Sequence, residues 1–172
     1  MFQFILRRVL PEGSNPSHPQ VRRRCGLAAG GIGVALNLTL FLGKLCAGAL
    51  TGAISVTADA FNNLSDAAGS VVTLAGFRMA GRRADAEHPF GHGRAEYLAG
   101  LAVSLLILLV GVELIRESAG KILQPSEPLL TPLAAGVLIV SILVKLWMGW
   151  FNAELGKRAD SAALRAAAQD AR

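Results

Sequence analysis

Four stretches of this chain, about 26–50, 55–80, 95–117 and 132–154, are long enough to cross a bilayer as helices, and that constrains its folding before any other feature does. Inside hydrocarbon every backbone N–H and C=O must find its partner within the spanning structure, which an α-helix achieves by itself. With 52% hydrophobic residues among 172 and a mean hydropathy of +0.46, the chain is too apolar for an ordinary water-soluble domain. The expected fold is all-α, a polytopic transmembrane helical bundle with four spanning helices.

Charge supports this and sets an orientation. The net charge of +5 raises nucleic acid as a partner, but no recognition motif accompanies it, and the basic residues instead flank the apolar stretches. Residues 1–24 form a leader containing Arg7, Arg8 and the cluster Arg22, Arg23, Arg24, together with a Pro/Ser/Gly-rich loop carrying His18. It lacks both the apolar core and the cleavage site of a secretory signal. The connection 81–94 and the tail 156–172 are also basic, whereas the first turn carries no charge and the third-to-fourth loop holds only Arg116 and Lys121 against Glu117 and Glu127. Both chain ends and the connection 81–94 are therefore expected on the cytoplasmic side of the cell membrane, with the lipid bilayer as the surrounding partner. Cys25 and Cys46 lie about 31 Å apart along one helix at 1.5 Å per residue and are not expected to pair.

The second stretch departs from the rest, because its first half carries Asp59, Asn62, Asn63, Ser65 and Asp66. An ionised carboxylate at the centre of a membrane helix costs roughly 2.5–3.5 kcal/mol on insertion scales, so two of them require something that offsets about twice that. A bound cation is the simplest candidate, and hydrogen bonding of a polar face to neighbouring helices is the bland alternative. Asn62 and Asp66 are four residues apart on one helical face, with Asp59 three residues earlier on nearly the same face. Two lysines, Lys44 and Lys145, also interrupt apolar stretches; Lys44 either snorkels to a headgroup or pairs with an acid on another helix.

A second constellation lies in the connection, where Asp85, His88 and His92 are spaced three and four residues apart. A carboxylate with two imidazoles suits zinc or a neighbouring divalent metal, and Pro89, Gly91 and Gly93 permit the sharp backbone that convergence from a short loop needs. The same histidines could instead bond helix ends and headgroups.

The motifs ADAFNNLSD (58–66) and ADAEHPFGHGRAE (84–96) together resemble those of the cation diffusion facilitators, membrane antiporters that export divalent metal in exchange for protons; the similarity covers about residues 20–172. The resemblance implies a transport site built from a pair of residues four apart on the second helix, here Asn62 and Asp66, and a pair on the fifth, of which Asp170 is the first member. It implies a further metal site at Asp85, His88 and His92. Asp59 becomes the outer lip of the pathway. Many members carry Asp where this chain has Asn62, so the site holds one negative charge fewer. Members normally have six spanning helices followed by a dimerising cytoplasmic domain. This chain is thus expected to comprise a leader (1–24), a transmembrane domain (25–155) and a segment (156–172) leading into a fifth helix, as the front part of a longer protein that forms a homodimer when complete.

The expected function is efflux of a divalent cation by proton-coupled antiport, incomplete in this chain by itself, with no prosthetic group and no enzymatic step. The oxygen-rich donor set favours manganese(II), with zinc, iron(II) and cobalt as the other candidates. Two further readings use the same residues: a helical fragment that needs a partner chain to bind metal well, and a membrane-embedded metallohydrolase. The second requires metal-bound water beside a general base, whereas here the histidines lie in a loop away from the acidic stripe.

Overall fold

Proline at the first helical position loses no hydrogen bond and presets φ, and Pro19 opens the first helix, α1 (Pro19–Thr51), in this way. In this computed structural model the described residues are 19–123 and 131–171; most of the leader with His18, the loop 124–130 and Arg172 lie outside them. Four more helices follow: α2 (Ile54–Ala80), α3 (Ala95–Leu123), α4 (Pro132–Arg158) and the short α5 (Ala162–Asp170). All regular structure among the described residues is helical.

Three of the boundaries lie beyond the apolar stretches. Helix α1 takes in Arg22, Arg23 and Arg24, because arginine is a good helix former and no breaker separates it from Gly26. Helix α3 continues to Leu123, past the end expected near 117. Helix α4 ends at Arg158 with Lys157 and Arg158 in its last turn, where cations complement the helix dipole. Ser161 caps α5 by accepting the N–H of Leu164, so the fifth helix starts inside the segment 156–172.

Helices α1, α3 and α4 are long and apolar enough to cross a membrane. Helix α2 falls short in hydropathy because of its polar residues, yet its 27 residues make it about 40 Å long. It also runs antiparallel along α1 from one end to the other. At one end a Cβ added to Gly48 would lie 2.2 Å from the Thr57 hydroxyl, and at the other a Cβ added to Gly26 would fall into the Phe77 ring. Glycines thus let two backbones approach closely where lipid provides no hydrophobic drive between helices. The chain reverses between α1 and α2 over Gly52 and Ala53, with Gly52 at φ +68°, a value that glycine adopts without strain.

Two small cores mark the ends of the bundle. At one end Cys25, Phe77, Phe151, Leu155 and Leu164 join α1, α2, α4 and α5. At the other, Ala47, Ala53, Val56 and Ala134 join α1, α2 and α4. Trp147 stacks on Phe151 with ring centroids 5.1 Å apart, while Trp150 is exposed. Large aliphatic groups on the outer faces of α3 and α4, among them Leu108, Leu109, Ile115, Ile139 and Leu143, are more than half exposed. That apolar exterior around a partly polar interior is the pattern of a helical membrane bundle.

Candidate functional site

Asp66 lies at the midpoint of α2 and Lys145 at the midpoint of α4, and the packing of the bundle brings them together: the Lys145 ammonium donates to Asp66 Oδ2. Nearer the start of α2, the Lys44 ammonium lies 2.7 Å from Asp59 Oδ2, with the lysine side chain only 4% exposed. Lys44 therefore pairs with an acid on the neighbouring helix rather than snorkelling. Each of the two acids is thus offset by a lysine from another helix. A divalent ion is the expected offset for two acids in an apolar helix, and in this structure protein cations already fill that role.

Around the Asp66–Lys145 pair the helices leave a cavity of about 20 Å³, room for roughly one water-sized particle. Its polar lining comes from Asn37, Asp66, Ser70, Thr73, Lys145, Asn152 and Asp170, drawn from α1, α2, α4 and α5. The structure brings Asp66 and Asp170 to one cavity. It does not bring Asn62 there: Asn62 is exposed on the flank of α2 and is absent from the cavity lining. Its neighbour Asn63 is the buried one, donating from Nδ2 to the Asp59 carbonyl at 3.3 Å. Residues 62 and 66 differ by about 40° around a helix, enough for one to face the cavity while the other faces out. Lys145, Asn37 and Asn152 escaped the sequence reading as site residues, although a lysine and an asparagine inside apolar stretches were the available signal.

Asn37 is 2% exposed, and its Nδ2 donates to Ser70 Oγ at 3.5 Å. Its Oδ1 is buried with no hydrogen-bond partner among the described residues. Buried acceptors are rarely left unsatisfied, and Asn37 is one of the residues that line the cavity, from which a donor or a cation can reach it.

The connection between α2 and α3 folds into turns that gather the second constellation. The Asp85 N–H donates to the His88 carbonyl at 3.3 Å and the Gly91 N–H to the same carbonyl at 2.9 Å, with Gly91 at φ +77° closing the reversal. Asp85 Oδ1 accepts the His88 N–H at 2.7 Å and lies 3.3 Å from His88 Nδ1, while His92 Nε2 lies 3.6 Å from Asp85 Oδ2. One ligand atom from each of Asp85, His88 and His92 falls within 4.8 Å of the others. Tetrahedral ligands at about 2.1 Å from an ion are about 3.4 Å apart, so the loop needs a modest contraction to close on a metal. The backbone N–H of His88, foremost, holds the Asp85 carboxyl below the usual carboxylate range, keeping it in the charged form that a metal requires. His92 is 10% exposed and its Nδ1 is buried without a partner among the described residues, while its other nitrogen faces the cluster.

Four residues after His92, Glu96 ties the loop to three helices. It is 7% exposed and accepts from Arg22 Nη2 at 2.8 Å and from Ser161 Oγ at 2.7 Å. Arg22 on α1, Glu96 on α3 and the cap of α5 therefore form one buried network. Because α5 carries Asp170, this network fixes the helix that delivers the second carboxylate to the cavity.

An all-helical membrane bundle with two carboxylates and a lysine at its interior, and a carboxylate–imidazole cluster in a loop at one end, defines the class as an integral membrane protein equipped to handle cations. The cation efflux transmembrane domain matches residues 32–172, and the chain belongs to the cation efflux family. Among curated relatives it is 32% identical to the manganese efflux system protein MneS of Bacillus subtilis over 139 residues, covering 81% of this chain and 48% of that protein. It is 35% identical to the cation-efflux pump FieF of Pectobacterium carotovorum over 132 residues, covering 77% of this chain and 44% of that protein. The manganese efflux system protein MneP of Bacillus subtilis is 29% identical over 152 residues, covering 88% of this chain and 49% of that protein. The chain spans about half the length of the curated relatives it matches.

Proposed function

We propose that this chain forms the membrane part of a divalent metal exporter that carries manganese(II) from the cytoplasm outward in exchange for protons. The observation that carries the reading is the meeting of Asp66 and Asp170, from two different helices, at one cavity inside the bundle. Two carboxylates with neutral oxygen donors nearby suit a hard ion, and the manganese efflux proteins among the relatives agree with that choice. Zinc, iron(II) and cobalt are the other substrates the same oxygens accept. Asp59, two turns before Asp66 on the same helix, marks the outer lip of the route.

Coupling follows from competition. A carboxylate ligand must be deprotonated to hold a metal, so a proton arriving at Asp66 or Asp170 weakens the site and promotes release, and metal arrival expels protons. The basic end of the bundle, with Arg22, Arg82, Arg83 and Arg94, is assigned to the cytoplasm of a cell-membrane protein. The loop cluster Asp85, His88 and His92 lies at that end and holds a second divalent ion. The complete transporter acts as a homodimer.

In manganese-sensitive bacterial cells, expression of the complete transporter lowers cell-associated manganese, and Asp66→Ala abolishes the effect with unchanged membrane content. Retained efflux in Asp66→Ala would remove the carboxylate site from the reading. Collapsing the proton gradient with an ionophore stops the efflux; efflux that persists would exclude proton exchange.

A further inference from the structure

The proposed transport site already contains a cation. Lys145 holds Asp66 in the metal-free protein, both groups are largely buried, and the cavity around them has room for about one small particle. A divalent ion ligated by Asp66 would stand within about 5 Å of the ammonium even if each took a different carboxylate oxygen, and their repulsion is strong in so poorly solvated a place. The two cations therefore exclude each other from the carboxylate.

Resting on the reading of Asp66 as a metal ligand, we infer that Lys145 is a tethered counter-ion that must leave Asp66 before metal binds, and that Asn37 Oδ1 is the acceptor that receives it. Asn37 lines the same cavity from another helix, α1, and its Nδ2 is oriented by Ser70 so that Oδ1 is left buried and unpartnered among the described residues. A buried acceptor without a donor and a donor that must move belong to one exchange. When metal departs, the ammonium returns and leaves Asp66 compensated rather than exposed as a bare buried charge. The exchange also selects for valence. A monovalent cation gains no more from Asp66 than the ammonium it displaces, whereas a divalent cation gains more. Lys145 is on this view a specificity-determining residue rather than a ligand.

The test is manganese(II) affinity of the purified chain in lipid nanodiscs, read from the electron paramagnetic resonance signal of free manganese(II). The parent protein carries His88→Ala and His92→Ala, so that the loop does not contribute. Lys145→Met is expected to tighten binding about tenfold or more, since it removes the competitor, while Lys145→Arg keeps the charge and gives no tightening. Asn37→Leu, which alters no charge and keeps a check available should Lys145→Met fold poorly, is expected to weaken binding when Lys145 is present and to change nothing in the Lys145→Met background. A merely structural lysine would weaken binding on removal. Affinity unchanged or lower in correctly folded Lys145→Met overturns the competition. Equal weakening by Asn37→Leu in both backgrounds makes Asn37 a metal ligand and overturns its role as receiver. If Asp66→Asn added to Lys145→Met leaves binding as tight as before, the site itself is misplaced, and that failure is distinct from the other two.

Discussion

At the scale of single residues, the decisive interactions are two lysine–aspartate pairs within the bundle, Lys145 with Asp66 and Lys44 with Asp59. Removing one member of a buried pair leaves an uncompensated charge, a loss of about 3–5 kcal/mol when fully buried; Asp66 and Lys145 keep 17% and 23% of their side-chain exposure, so a smaller loss of about 1–3 kcal/mol is expected for Asp66→Asn. The double variant Asp66→Asn/Lys145→Met recovers most of it, as denaturant titration in mild detergent should show; equal losses in both variants would mean that the pair contributes nothing as a pair. In the loop, the Asp85 carboxyl is held below its ordinary range chiefly by the His88 N–H. A depressed folded value means the ordering is fully present above the unfolded value and fades as pH falls through the lower, folded one. The His88 amide resonance is expected to report that acidic transition, and Asp85→Asn to remove it. His92→Ala is expected to abolish zinc binding by the loop in isothermal titration, because only Asp85 and His88 would remain.

Helices here are held by close approach more than by large side chains. Gly76 on α2 faces α3 so closely that an added Cβ would lie 2.2 Å from the Ala99 Cβ and 3.2 Å from the Ala95 carbonyl oxygen. Neither is the end of a flexible chain, so Gly76→Ala must move the helices apart and is expected to cost about 1–3 kcal/mol. Gly111 on α3 has nothing within 4 Å of the same added atom, and Gly111→Ala is expected to stabilise by about 0.5–1 kcal/mol through helix propensity alone. Thermal unfolding of the two variants in one detergent checks the contrast, and similar shifts would refute the packing argument. The element boundaries were legible in outline, since apolar stretches announce spanning helices. Their extension at Pro19, Leu123 and Arg158 was less so, because charged residues can continue a helix beyond the hydrocarbon without breaking any local rule.

For the whole molecule, the joining of α1, α2, α4 and α5 in one small core places the basic residues of the first helix, the connection 81–94 and the end of α4 at a single end of the bundle. With Cys46 replaced by alanine, Arg83→Cys is expected to resist a membrane-impermeant maleimide in intact cells, and Ser55→Cys at the other end to react; the reverse pattern would invert the orientation. Sequence alone determined that the chain is a helical membrane bundle, which end is basic, and that Asp66, and Asp85 with His88 and His92, are candidate cation ligands, because the cost of placing a residue in hydrocarbon and the spacing within one loop are local properties; Asp170 followed only from the resemblance to a family. Which lysine meets which acid, that Asn62 turns outward while Asn63 is buried, and that Asn37 offers an unpartnered oxygen to the same cavity were decided only by the tertiary structure. These depend on the rotation and axial register of helices packed together from distant parts of the chain. A shift of one residue turns a helical side chain by about 100°, so no local pattern specifies them.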